Sequence, residues 1–252
     1  MRNISAREVI CLAVTKIETE EATGTGFFFS YKKDEARYFV VVTNSHVVGN
    51  ANMVTLFIPN MSCDNPSYEN AIKLELATTN ITNHKDVDLC VIPLDGIDDQ
   101  ILDTIPAIPE EWIPSEEQAD KISYIESIYM VGYPQGSNGD KDIMPIVREG
   151  ITATPYPLKY NNSPYFLVNC TCLHGSSGSP VFLYSSGFYV EEGNLKLCTE
   201  RIFLLGVLFE GKFSEAKTIL NGLNIPAHTN VPSNLGIAIK SKCLLDLKHV
   251  CN

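Results

Sequence analysis

The chain has 252 residues, of which 44% are hydrophobic, so it is long enough to bury the core of one large or two small globular units. Asp and Glu (30) outnumber Lys and Arg (19), and the formal net charge of −11 argues against nucleic acid or an anionic membrane as a partner. The sequence contains no apolar run of about 18 residues, the length that predicts a spanning helix.

Short apolar runs alternate with turn signals along the chain, and several show the period of two that is typical of half-buried strands. The run at 9–14 leads into residues 15–18 and predicts one continuing strand. Further strands are predicted at 27–31, 38–43, 54–58, 72–78, 89–94, 128–133, 148–154, 165–169, 180–184, 202–209 and 235–239. Only 115–121 and the tail 241–250 permit a helix. This excess of strands over helices predicts an all-β fold made of barrels or a sandwich.

Residues 95–120 are rich in proline and acidic residues and are predicted to link two halves. We place the halves at residues 1–115 and 116–252. Three further segments, 60–70, 185–194 and 212–230, are predicted as long surface loops, which in an enzyme shape access to the site.

The most informative motif is the run His174-Gly175-Ser176-Ser177-Gly178-Ser179-Pro180. A serine flanked by glycines on a tight turn can present its hydroxyl while nearby backbone N–H groups point at the same place. Attack on a carbonyl, with stabilisation of the resulting oxyanion, needs this geometry. Because glycine–serine turns are common in loops, the run predicts this chemistry only together with the motifs upstream of it.

Two upstream motifs supply that context, Thr43-Asn44-Ser45-His46-Val47-Val48 and Asp86-Val87-Asp88-Leu89-Cys90-Val91. The α/β-hydrolases need Gly-x-Ser-x-Gly, with Asp and His after the serine. Here Ser179 stands where that motif needs glycine, and the His and Asp come first. The order His, Asp, Ser is that of the chymotrypsin-like serine peptidases.

These motifs resemble those of the trypsin-like (chymotrypsin-fold) serine peptidases, and they are most similar to the bacterial HtrA-like and glutamyl-endopeptidase-like branches. Weaker similarities at Gly24-Thr25-Gly26-Phe27-Phe28, Leu205-Gly206-Val207-Leu208 and Leu235-Gly236-Ile237-Ala238-Ile239 extend the likeness over nearly the whole chain. The resemblance implies two six-stranded antiparallel β-barrels, here with a short C-terminal helix, and a site between them.

The resemblance also implies a serine endopeptidase that cleaves protein or peptide substrates through an acyl-enzyme and needs no cofactor or metal. Ser177 would be the nucleophile, His46 the general base, and Asp88 the group that orients the imidazole. Gly175 and Ser177 would supply the N–H groups of the oxyanion hole. Asp86 competes with Asp88 for its role, but Asp88 directly precedes the apolar run, as in the family motif.

The remaining expectations about the site concern its neighbours. Ser176 and Ser179 compete with Ser177, although the motif favours Ser177. Thr171, His174 and Leu208 are expected near the substrate pocket. The pocket floor carries no evident charge, so a small or apolar residue is expected before the cleaved bond.

Ser176 stands where the digestive members of the family have an acid that pairs with a newly cut N-terminus. An activation salt bridge of that kind cannot form here, so trimming of the N-terminus is not expected to switch the protein on. Activation by ordering of a loop, or by a regulatory protein partner, stays open.

The chain has eight cysteines, two of which, Cys11 and Cys90, fall inside apolar strand patterns. We expect reduced thiols and a cytoplasmic setting. The pattern Cys170-x-Cys172-x-His174 offers only three ligands beside the nucleophile loop, and we expect no zinc there. Two other functions remain open: a catalytically silent protein that uses this fold as a binding module, and a serine esterase.

Overall fold

The computed structural model describes residues 4–61, 66–135, 144–219 and 226–251. The N-terminal half contains helix α1 (Ala6–Leu12), strands β1 (Val14–Glu18), β2 (Thr23–Lys33) and β3 (Ala36–Thr43), helix α2 (Ser45–Val48), and strands β4 (Met53–Asn60), β5 (Ser67–Ala77), β6 (Thr82–Asn83) and β7 (Cys90–Pro93). Helix α3 (Asp99–Leu102), strand β8 (Ile108–Pro109) and helix α4 (Glu116–Asp120) follow.

The C-terminal half contains strands β9 (Ser127–Gly132), β10 (Ile146–Thr152), β11 (Tyr165–Asn169), β12 (Pro180–Glu191), β13 (Asn194–Ile219) and β14 (Pro226–Lys240). Short 3-10 helices cover Thr78–Asn80, Glu110–Trp112 and Ser241–Cys251. None of the helices in the described ranges has the length and apolar character needed to cross a bilayer.

The six C-terminal strands close into a barrel in the order β10-β11-β14-β13-β12-β9. The N-terminal half is a sheet of eight strands in the order β5-β4-β1-β2-β3-β7-β6, with β8 paired to β2. The predicted all-β, chymotrypsin-like class is confirmed. The N-terminal sheet exceeds the expected six strands because the two-residue strands β6 and β8 add to it. The predicted division after residue 115 stays a prediction.

The predicted strand over 9–14 is wrong, because the chain forms helix α1 before β1 begins at Val14. A capping box explains the difference: the Ser5 hydroxyl accepts from the Glu8 N–H, and the Glu8 carboxylate accepts from the Ser5 N–H at 2.9 Å. Ile10 and Leu12 are buried, so the same apolar residues serve a helix face.

Two of the predicted loops are also wrong, because 185–191 and 212–219 continue strands β12 and β13 beyond the barrel as long hairpin arms. The β12–β13 ladder runs to the pair Glu191↔Asn194, and the β13–β14 ladder to Ile219↔Pro226. Cross-strand pairing supports these arms. In the β12–β13 arm the apolar residues Phe188, Val190, Leu195 and Leu197 alternate as in a strand, but they are exposed. The predicted loop 60–70 is wrong over 67–70, which begin strand β5, and the predicted loop 212–230 is also wrong over 226–230, which begin strand β14. Residues 62–65 and 220–225 of the predicted loops lie outside the described residues.

The predicted C-terminal helix is present as the 3-10 helix Ser241–Cys251, which buries Cys243, Leu244 and Leu247. One apolar cluster joins this helix to both halves: it contains Phe27 from β2 and Phe182 from β12, along with Leu244. The two halves therefore share a core, and this shared core sets the position of the cleft between them.

Candidate active site

His46 and Asp88 are brought together by the one-turn helix α2 and the loop before β7. The His46 N–H donates to Asp88 Oδ1 at 3.1 Å, and the imidazole Nδ1 contacts Asp88 Oδ2. Asn44, the residue before α2, donates from Nδ2 to the Asp88 carbonyl at 2.7 Å. Two contacts thus hold the Asp88 carboxylate against His46, and the third fixes the Asp88 backbone.

The Asp88 carboxylate is held in its ionised form. Burial raises its pKa, but the hydrogen bonds and electrostatic attraction of His46, with a further backbone hydrogen bond from Ser45, outweigh burial and leave the pKa below its ordinary value. An ionised acceptor on Nδ1 keeps the proton on that nitrogen, which leaves Nε2 as the basic atom of a neutral ring. Asp86 is instead largely exposed, and its carboxylate lies 3.8 Å from Lys85.

Ser177 lies on a turn with glycines at two positions of positive φ, Gly175 (+83°) and Gly178 (+88°). A Cβ on Gly178 would lie 1.8 Å from the Thr25 carbonyl oxygen, so a side chain there is excluded. The Ser177 hydroxyl donates to the Phe209 carbonyl at 3.3 Å. The hydrogen bond between Ser177 and His46 that the motif predicts is therefore absent from this arrangement of the described residues, although both side chains line one cleft.

The backbone groups of the nucleophile turn can be accounted for one by one. The Ser176 N–H donates to Leu173, and those of Gly178 and Ser179 donate to Leu208 and Ser176. Within the described part of the chain, the N–H groups of Gly175 and Ser177 have no acceptor.

The peptide between His174 and Gly175 has a defined orientation. The His174 carbonyl accepts from the Gln135 N–H at 2.7 Å. In a trans peptide the C=O and N–H point in opposite directions, so the Gly175 N–H is directed away from Gln135. This peptide therefore leaves an unused donor beside Ser177, on a residue that lines the same cleft as His46.

Thr25 ties the nucleophile turn to the N-terminal half, and sequence reasoning missed it. Its hydroxyl donates to the Gly175 carbonyl at 2.8 Å and accepts from the Tyr133 N–H at 2.9 Å. Its own N–H donates to the Ser177 carbonyl at 2.9 Å. The sequence Gly24-Thr25-Gly26 was noticed only as a weak family similarity, since nothing local shows that its hydroxyl reaches 150 residues along the chain.

Thr25→Val is expected to lower the free energy of unfolding by about 1–3 kcal/mol, because the Gly175 carbonyl and the Tyr133 N–H lose a buried partner. Thr15→Val is the matched control, since the buried Thr15 hydroxyl makes the same pair of bonds to Phe57, at 3.0 and 2.9 Å. Urea unfolding should show similar losses. Amide hydrogen exchange of residues 173–178 should accelerate in Thr25→Val alone, and equal acceleration in both variants would contradict the role given to Thr25.

The cleft beside Ser177 has a volume of about 270 Å³ and is lined by His46, His174, Gly175, Ser177, Gly211 and Phe213, among others. The His174 ring stacks on Phe213 with centroids 5.6 Å apart, which forms one rim of the cleft. The two other predicted pocket residues do not line it: Leu208 is buried in the barrel core, and Thr171 is exposed. A larger cavity, of about 680 Å³, lies elsewhere and shares no lining residue with this cleft.

The cysteines of the site are buried thiols. Burial raises the pKa of Cys172 to about 12 and outweighs the opposing charge of Arg148, so the thiol stays protonated. Six cysteines with described side chains, among them Cys170 and Cys172, are free. Within the described ranges no three His, Cys, Asp or Glu side chains are grouped as metal ligands would be. Cys63 and the side chain of Cys198 lie outside what the structure describes.

A family model, the trypsin-like peptidase domain, matches residues 24–190, which include His46, Asp88 and Ser177. The chain belongs to the trypsin-like peptidase family. The predicted membership of the family is thereby confirmed. No protein with curated annotation matches the chain in sequence.

The fold is similar to those of several solved proteases. The serine endoprotease from Yersinia pestis gives a TM-score of 0.53 at 14% identity, covering 99% of this chain and 68% of that chain. The HtrA-type protease AlgW gives 0.53 at 14% identity, covering 98% and 63%. The MamO protease domain from Magnetospirillum magneticum gives 0.50 at 9% identity, covering 96% and 98%. At these identities the likeness shows the shared fold.

Proposed function

We propose that the protein is a serine endopeptidase that cleaves protein or peptide substrates through an acyl-enzyme. The observation that carries the proposal is the pairing of His46 with Asp88 at a cleft that Ser177 also lines. The two unused N–H groups beside Ser177 add the donors that an oxyanion needs.

In the proposed reaction, the Ser177 hydroxyl turns from the Phe209 carbonyl to Nε2 of His46, which takes its proton as Oγ attacks the scissile carbonyl. The N–H groups of Gly175 and Ser177 stabilise the oxyanion, and Asp88 stabilises the imidazolium. His46 then gives its proton to the leaving amine, and water completes hydrolysis of the ester. A rotation of the serine side chain is a small barrier, so the bond to Phe209 is compatible with a resting state.

A fluorophosphonate probe is expected to label the wild-type chain and not Ser177→Ala, because only an activated serine attacks phosphorus at a useful rate. Ser179→Ala is the matched control: its hydroxyl is buried and without a partner in the described structure, so its removal should leave labelling unchanged. Intact-mass spectrometry measures the reaction. A wild-type chain that is not labelled would favour a silent binding module.

Labelling alone does not separate a peptidase from an esterase. Sequencing of new protein N-termini generated by the wild type, and absent with Ser177→Ala, tests for endopeptidase action directly. Turnover of ester substrates with no peptide cleavage would identify the esterase alternative. We keep the cytoplasmic setting as a proposal, consistent with the free thiols of the described cysteines.

We expect a small or apolar residue before the cleaved bond. Gly211, which lines the cleft, packs closely against the residue behind it, since an added Cβ would lie 3.0 Å from the Cβ of Cys172. Glu210, the acid next to Gly211, is paired with Lys212 at 3.0 Å, so it is not a free charge beside the cleft. Profiling with a peptide library measures the preference, and fast cleavage only after Arg, Lys or Glu would contradict it.

A further inference from the structure

Arg148 on strand β10 reaches the segment that carries the nucleophile turn. Its Nη1 donates to the Thr171 carbonyl at 2.6 Å, and its Nη2 donates to the Ser176 hydroxyl at 2.9 Å. One planar guanidinium therefore joins both ends of residues 171–176, the stretch that contains Gly175.

This guanidinium has no carboxylate partner among the described residues. Its Nε is buried without an acceptor, and the acceptors of the other two nitrogens are neutral. Burial lowers the pKa of Arg148, while the thiols of Cys170 and Cys172 act in the opposite direction. Placing a cation at a half-buried position without a counter-ion is unfavourable, and an apolar side chain of similar length would avoid that cost. The role of Arg148 therefore depends on the two hydrogen bonds that it makes to Thr171 and Ser176.

Ser176 transmits these contacts to the site. It is fully buried, and its hydroxyl also accepts from the Leu173 N–H at 3.3 Å. Ser176 lies between Gly175 and Ser177, so any shift of its backbone moves both of the unused N–H groups. A cation that belongs to β10 is present in the intact chain and needs no cleavage to create it.

We propose that Arg148 is a positioning residue, which acts through Thr171 and Ser176 to hold residues 171–176 in the conformation that keeps the N–H groups of Gly175 and Ser177 available to an oxyanion. The inference rests on the proposed function. Because Ser176 is uncharged, it cannot pair with an N-terminal ammonium, and Arg148 supplies the positioning contact instead.

Arg148→Met, which removes the donors but keeps the length of the side chain, is expected to lower kcat for peptide cleavage by about 10²-fold, the cost of losing one oxyanion donor. KM should change by less than about threefold, because substrate contacts are retained. Arg148→Lys should recover part of the loss, since one ammonium cannot serve both acceptors in the same geometry. All rates are divided by the active fraction found by titration with the fluorophosphonate.

Arg201→Met is the matched control for a purely structural effect. Arg201 is another arginine of the C-terminal barrel with a buried, unpartnered Nε, but its guanidinium pairs with Glu126 at 2.9 Å, away from the turn. This variant should lose stability and keep wild-type kcat per active molecule. Wild-type kcat in Arg148→Met, or equal loss of kcat in both variants, would overturn the proposal.

Hydrogen exchange of the full chain in the Ser177→Ala background separates this proposal from the proposed function, since it needs no activity. Amides of residues 172–178 should exchange faster when Arg148→Met is added, while strand β3 stays unchanged. Unchanged amide exchange at residues 172–178 would contradict the inference even if the enzyme is active. If Arg148→Met does not fold, Ser176→Ala removes one acceptor from the same contact and should show the same two effects, and their absence there would equally overturn the proposal.

Discussion

Asp88→Asn is expected to lower kcat for peptide cleavage by about 10⁴-fold, the effect known for a triad whose acid becomes an amide. The Asn side chain can donate to Nδ1 of His46, which favours the tautomer with its proton on Nε2. That tautomer cannot accept the proton of Ser177. Steady-state kinetics with a peptide substrate measures the loss.

Asp86→Asn provides the control, because it removes the same charge two residues away. The Asp86 side chain is 69% exposed and is not among the contacts of His46. This variant should retain kcat within about twofold, as surface substitutions usually do. A comparable loss in Asp86→Asn, or near-normal turnover in Asp88→Asn, would contradict the assignment of the acid.

The stability of Asp88→Asn in acid gives a second test of this residue. The folded-state pKa of Asp88 lies below its ordinary value, so the ionised carboxylate stabilises the fold above the unfolded pKa of about 3.9. That stabilisation disappears as the pH falls through the lower, folded value. Urea unfolding over about pH 3–7 should therefore show the gap between wild type and Asp88→Asn shrinking towards the acid end.

Gly175→Ala is expected to lower kcat by about 10²–10³-fold, the range for loss of an oxyanion-hole donor. Gly175 has a φ of +83°, and an added Cβ would lie 2.4 Å from the Tyr133 carbonyl oxygen. Relief of that clash must move the peptide that His174 and Gln135 hold by a 2.7 Å bond. The Gly175 N–H would then leave its present direction.

Gly187→Ala isolates the backbone strain from the effect on the site. Gly187, in the β12–β13 arm, has a φ of +91° and nothing within 4 Å of an added Cβ. It should lose about 1–2 kcal/mol of stability, the cost of a left-handed conformation with a Cβ, and keep full turnover. If Gly175→Ala behaved like Gly187→Ala, with normal kcat per active site, the oxyanion role would be rejected.

Local patterns were sufficient for much of the fold. Strands β2, β3 and β9 contain the predicted runs 27–31, 38–43 and most of 128–133, because short apolar runs are typical of strands that are buried on both faces, as most of these residues are. The same reasoning failed at α1, where the capping by Ser5 and Glu8 outweighs an apolar run. It failed again at the hairpin arms, where β12, β13 and β14 continue their cross-strand pairing beyond the barrel.

The order of His46, Asp88 and Ser177, the glycines around the serine, and the family to which these belong were all legible in the sequence, because each is a matter of residue type and local spacing. The contacts of Thr25 with Gly175 and of Arg148 with Ser176 were decided by tertiary structure alone. Thr25 meets Gly175 because the two halves pack together, whereas Arg148 meets Ser176 because the C-terminal strands close into a barrel. In both cases the residues lie apart along the chain, and only the fold brings their groups within about 3 Å, the distance of a hydrogen bond. The fold of the C-terminal half likewise decided that the Ser177 hydroxyl donates to the Phe209 carbonyl, which no motif predicts.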